Sequence, residues 1–104
     1  MDRPRTQMPS RQAFSAAVNS SFGVRIKGAE PVQFTLVECN TVLSNESQEC
    51  YSLLFRGPSD QPPVQDTYLL ENEQLGELKL LLVPVKQDVH GLYFEAVVNH
   101  LLTR

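Results

Sequence analysis

Apolar and polar residues alternate with a period of two along much of the chain, and turn formers separate the alternating runs. The cleanest run is Phe22 to Lys27, with Phe22, Val24 and Ile26 on one face and Gly23, Arg25 and Lys27 on the other, the pattern of a half-solvated strand. Cys50 to Arg56 places Tyr51, Leu53 and Phe55 on one face and Ser52, Leu54 and Arg56 on the other. The Gly57-Pro58 pair closes it, and it reads as a central strand. Val32 to Val37 has Phe34 and Leu36 on a shared face. Glu38 comes next on that face, at the mouth of the core, where a carboxylate needs water or a partner. Thr67 to Glu71 is a short strand with Tyr68 and Leu70 together. Glu77 to Val85 sets Leu78, Leu80 and Leu82 against Lys79, Leu81 and Val83, so it is expected to begin half-exposed and become buried on both faces. Pro84 then removes a ladder hydrogen bond and indicates an edge or a strand end. In Leu92 to Val98, Leu92, Phe94, Ala96 and Val98 form one apolar face, while Tyr93 and Val97 flank Glu95 on the other.

One segment follows the helical period instead. Phe14, Ala17 and Val18 recur at spacings of three and four after Ser10, a good N-cap, and Asn19-Ser20-Ser21 stops the helix. A helix of two or three turns is marginal in isolation, so it must lay Phe14 and Val18 over an open edge or end of the sheet. Turns are expected at Gly28 to Pro31, Asn40 to Glu49, Asn72 to Gly76 and Lys86 to Gly91, with Gly76 free to take a positive φ. Together these elements predict a mainly β fold: about six antiparallel strands in a small barrel or sandwich, with one short N-terminal helix. Residues 1–9 read as a flexible tail, 10–99 as a single β-rich domain and 100–104 as a frayed C-terminus, with Leu101 and Leu102 able to pack back.

A chain of 104 residues suits one domain and can bury one core without a metal or a disulfide framework. The net charge is −3 and the lysines and arginines are scattered singly, which argues against nucleic-acid binding. The longest apolar run, Leu78 to Val85, is broken by Lys79 and Pro84, far short of the roughly 20 residues that span a bilayer, so no membrane partner is expected. Residues 1–9 lack the apolar stretch of a secretory signal, which makes the cytoplasm the expected location and removes Asn45-Glu46-Ser47 as a glycosylation site. Cys39 and Cys50 lie far from His90 and His100, in no zinc-binding pattern, and are expected to be reduced thiols. If their strands pair as a hairpin, they lie near its closed end, where a disulfide comes within reach.

Ser-Leu-Leu-Phe-Arg-Gly-Pro at 52–58, Thr-Tyr-Leu-Leu-Glu at 67–71, Leu-Gly-Glu-Leu at 75–78, Leu-Leu-Val-Pro-Val at 81–85 and Tyr-Phe-Glu-Ala-Val-Val-Asn at 93–99 make the chain resemble a family of small bacterial domains of unknown function. The resemblance spans residues 11–99 and implies a compact β domain. Some members are encoded beside proteins with phage-tail-collar-like domains, which implies an accessory role in a tail-type assembly. It implies no catalytic residues.

Signatures of common chemistry are missing: no glycine-rich phosphate loop precedes a helix, and there is no H-E-x-x-H and no G-x-S-x-G. His90 sits in a turn and His100 near the C-terminus, so both read as solvated side chains, and Cys39 or Cys50 as a nucleophile would require a nearby base that lowers the thiol pKa. No enzyme activity and no cofactor are expected. Two features stand out. Arg56, Glu38 and Glu95 are charges set in apolar strands, and Arg56 is expected to pair with Glu95 or Glu38, fixing register or forming a polar floor. The loop carrying Gly57, Pro58, Asp60, Pro62, Pro63 and Asp66 is stiffened by its prolines and can present a partner-binding edge. The resulting expectation is a non-enzymatic interaction or structural module with a protein partner, able to self-associate through an edge strand such as Phe22 to Lys27. A small-ligand-binding β-barrel is the alternative, and a hydrolase-type enzyme stands behind both.

Overall fold

The structure is a computed structural model that describes residues 8–26 and 30–101, the last two by backbone alone. The expected tail therefore falls outside it up to residue 7, the Gly28 turn up to residue 29, and the expected fraying at 102–104. Pro9, placed in the tail by its composition, is held instead: its carbonyl accepts a hydrogen bond from the Tyr51 hydroxyl at 2.6 Å.

Helix α1 (Arg11–Ala16) starts where Ser10 predicts, with the Ser10 hydroxyl accepting from the Ala13 N–H at 3.1 Å. It ends at Ala16, and Asn19, in the turn that follows, leads the chain into the sheet with a φ of +76°. Six antiparallel strands follow: β1 (Ser21–Arg25), β2 (Val32–Ser44), β3 (Gln48–Gly57), β4 (Asp66–Asn72), β5 (Gly76–Asp88) and β6 (Gly91–Leu101). They form one sheet, β1-β2-β3-β6-β5-β4, that closes through a β4–β1 ladder. The architecture is therefore a ring-closed sheet rather than a sandwich, and an irregular one. β5 pairs with β4 from Gly76 to Leu82 and changes partner to β6 from Val83 onward. Pro84 lies at that change, beside a register shift, so its missing N–H falls where the ladder is already interrupted.

Alternation fills the interior. Phe22, Val24, Leu36, Leu53, Phe55, Leu70, Leu82 and Phe94 have no exposed surface. Phe22 meets Phe55 edge-on at 5.2 Å between ring centroids, and Phe34 stacks on Phe94 at 5.3 Å. Beyond the ring, the far halves of β2 and β3 and the end of β6 continue as a three-stranded ribbon, and α1 docks on it with Phe14 5.8 Å from Tyr51. The helix thus covers an end of the sheet, as its narrow apolar stripe requires, with Phe14 and Ala17 buried and Val18 half-buried.

Four strand expectations need correction, the first being the Lys86 to Gly91 turn, which shrinks to Val89–His90 because β5 runs to Asp88 and β6 begins at Gly91. The Asn40 to Glu49 loop is mostly strand: β2 runs to Ser44, and the turn shrinks to Asn45–Ser47, whose Asn45 side chain accepts from the Ser47 and Gln48 N–H groups. The second half of β5 is not buried on both faces, since Leu81 and Val85 are about half exposed. β6 does not fray after Asn99 but pairs with β3 through Leu101. No described helix is long and apolar enough to cross a membrane, which leaves strands unaddressed.

Candidate functional site

The charged trio comes onto one outer face but does not join. Glu38 and Glu95 both lie opposite Leu54, one from each neighbouring strand, while Arg56 lies a row further on between Thr35 and Tyr93. Among the described residues Arg56 makes no ion pair; those present are Arg11–Glu49 at 3.7 Å and Arg25–Glu71 at 4.0 Å. The physical reason is exposure, since Glu38 and Glu95 both lie in water, and for Glu38 the exposure comes from a bulge. Val37 is the extra residue between the Leu36–Phe55 and Glu38–Leu54 pairs, so the strand changes phase and Glu38 points to solvent instead of the core mouth. Once in water, neither carboxylate needs the guanidinium, and half-buried Arg56 reaches solvent on the same face.

The strand register keeps the cysteines apart. Cys39 faces Leu53 and Cys50 faces Leu43, so they are not cross-strand partners, and both thiols are free. Cys39 lies 3.8 Å from the Arg11 carbonyl, under the helix. Strand β1 is bonded to β2 on one side and β4 on the other, so Ser21–Arg25 offers no free edge for self-association, contrary to expectation.

The proline-rich loop has a more specific arrangement. It leaves the sheet at Gly57, where space is short: a Cβ there would sit 2.7 Å from the Phe34 ring. The Gln61 N–H then bonds the Pro58 carbonyl at 3.1 Å, turning the chain back, and the Tyr68 hydroxyl donates to the Val64 carbonyl at 2.7 Å, pinning the loop to β4. Burial pushes the Tyr68 phenol up, and the nearby Asp66 carboxylate pushes it the same way, so it stays a donor.

Between this loop and the sheet lies a cleft of about 360 Å³. Its walls come from the end of β1 (Arg25, Ile26), from the loop (Gln61, Pro62, Val64) and from the start of β4 (Asp66 to Leu69). Of the loop residues singled out in the sequence, Pro62 and Asp66 reach this cleft. Gly57 and Pro58 shape the turn, and Asp60 and Pro63 are exposed outside it. Gln61 was not singled out, yet it is the distinctive residue here: it is 9% exposed and its carboxamide makes no hydrogen bond among the described residues. A buried amide without a partner costs about 1–3 kcal/mol, so most are satisfied. The other buried polar side chain among the described residues, Asn72, shows the ordinary case. Its amide donates to Ser20 Oγ and the Ser21 carbonyl and accepts from the Gln74 and Leu75 N–H groups, which commits it wholly to structure.

Fold and site together define a small domain built on a closed six-stranded sheet, with one docked helix and a loop-walled cleft at the β1–β4 junction. The chain belongs to the family described as a domain of unknown function, DUF6916, whose model matches residues 9–98. No curated protein and no solved structure matches it.

Proposed function

We propose that this domain is a non-enzymatic interaction module whose working surface is the cleft beneath the Gly57–Asp66 loop. The observation that carries the reading is Gln61: a carboxamide this deeply buried and unpartnered has hydrogen-bonding capacity to give to something outside the chain. A rigid loop holds it, so binding orders little new structure. The partner is a protein, and the phage-tail-collar-like proteins that the family resemblance implies are the first to test. A cytoplasmic setting suits the two free thiols. A small-ligand binder would use the same cleft, whose volume lies at the lower end of the range for such sites.

The test is affinity capture from the native host with the intact chain and with a chain whose Ser59–Gln65 segment is replaced by glycine and serine at equal length. A partner retained by the first and lost by the second, with matching far-ultraviolet spectra, supports the reading. A partner captured equally by both overturns it.

A further inference from the structure

The charged trio belongs to a pattern that the single chain does not use. On the outer face β2, β3, β6 and β5 stand side by side, and two successive rows of side chains cross them. One row is Thr35, Arg56, Tyr93 and Lys86; the next is Glu38, Leu54, Glu95 and Val83. The first carries two cations and the second two carboxylates. Both flanking strands owe their charge to a bulge between the rows. Regular pairing would put Val37 opposite Leu54 and Val85 opposite Tyr93, and the two register shifts put Glu38 and Lys86 there instead. Within the chain these charges stay apart. Neither Arg56 nor Lys86 makes an ion pair among the described residues, and Lys86 lies over the Tyr93 ring, its Nζ 4.6 Å from the centroid. Asp88, further along β5, is held in its own turn, accepting from the His90 N–H at 2.8 Å. Apolar surface accompanies the charges: Leu54 and Val83 are half-buried beside Glu95, and Val97, the next outer residue of β6, is 63% exposed.

We infer that this face binds a second copy of itself, sheet on sheet, about a twofold axis that runs across the strands between the two rows. Such an axis turns each strand over its own counterpart and lays the acidic row of one copy on the basic row of the other. Across β2, β3, β6 and β5 the facing charges then alternate: Glu38, the partner's Arg56, Glu95, the partner's Lys86. A patch of one sign repels its copy, whereas adjacent rows of opposite sign are complementary to themselves, and that selects a second copy as the occupant. The same axis brings Val97 to the level of the partner's β5–β6 turn, where Val89 is 90% exposed, so apolar surface left in water by the fold is covered at both ends. None of these residues lines the cleft beneath the loop, so this surface is independent of the one proposed above.

Sedimentation equilibrium of the intact chain between about 5 and about 500 μM tests this, on the wild type, Glu95→Lys and Lys86→Glu. Both substitutions fall at exposed positions, and urea denaturation shows that each variant folds. The wild type should form dimers that weaken as salt is raised. Each substitution alone should weaken dimerisation, Glu95→Lys by about tenfold or more, because it sets like charges against the partner's Arg56 and Lys86. An equimolar mixture of the two variants should associate more tightly than either alone. In the mixed dimer the reversed charge of one chain faces the reversed charge of the other, and the symmetry-related contact is the wild-type pair. Charges that interact only within one chain give no such rescue. A wild type that stays monomeric throughout, or a mixture no tighter than the better of the two variants, overturns the inference. Dimerisation that neither substitution weakens assigns it to another surface and overturns the inference as well.

Discussion

Replacing Gly91 with alanine tests how tightly the β5–β6 turn is locked against the base of the loop. Gly91 has φ +150°, and a Cβ there would lie 2.2 Å from the Gly57 carbonyl oxygen and 3.1 Å from Arg56 Cγ. Two costs add: a backbone conformation that side chains disfavour, and a collision with main chain that cannot rotate away, so that the Gly57–Leu92 end of the β3–β6 ladder must open. Gly76 separates them. Its φ is +75°, yet nothing stands within 4 Å of a Cβ built on it, so Gly76→Ala carries the conformational cost alone, about 1 kcal/mol. Gly91→Ala should cost about 3–5 kcal/mol. Urea denaturation followed by circular dichroism measures both. If Gly91→Ala falls within about 0.5 kcal/mol of Gly76→Ala, the close approach of β6 to Gly57 is refuted.

Three further outcomes follow from the core and the helix. Burial holds the Tyr51 phenol well above its ordinary pKa, and the nearby Cys39 and Glu49 add to the shift, so it stays protonated in the folded state at pH values where the unfolded chain ionises. The Tyr51 contribution to stability should therefore be fully present below pH of about 10 and be lost above it, by up to about 1.4 kcal/mol per pH unit, and Tyr51→Phe should reduce the alkaline fall, leaving the part due to Tyr68, while costing about 1 kcal/mol at pH 8 through loss of the bond to Pro9; denaturation at pH 8 and pH 11 checks this. Phe14→Ala should cost about 3–5 kcal/mol and loosen α1, and because Cys39 sits under the helix at Arg11, its reaction with a thiol reagent should quicken. Thiol titration of the denatured, unreduced protein should find both Cys39 and Cys50 reactive, and finding neither would require a disulfide that the strand register opposes.

The alternation of Phe22 to Ile26, Tyr51 to Phe55 and Leu78 to Leu82 was enough to place the core, because strands with one dry face must write that face into every second residue. What lay outside it was decided by the backbone. Residues 40–44, 86–88 and 99–101 are strand because they extend ladders already begun, and outside the core their side chains owe no alternation. The bulge at Val37 leaves no mark in residue type, so the alternation points Glu38 at the core mouth, whereas it lies in water on the outer face with Arg56 and needs no partner there. The candidate loop was legible from its prolines, but Gln61 within it was not. A glutamine between aspartate and proline looks solvated, and its burial comes from the loop folding back against β1 and β4, which are distant in sequence.

The account depends on the Gln61 carboxamide being held for a partner rather than used by the fold, and the stability of Gln61→Met without any ligand tests that most directly. Methionine keeps the bulk and removes the amide, so relief of an unpartnered buried polar group should leave the free energy of unfolding unchanged or raise it by about 1–2 kcal/mol. A loss of more than about 1 kcal/mol would show that the amide already serves the folded chain, and would contradict the account.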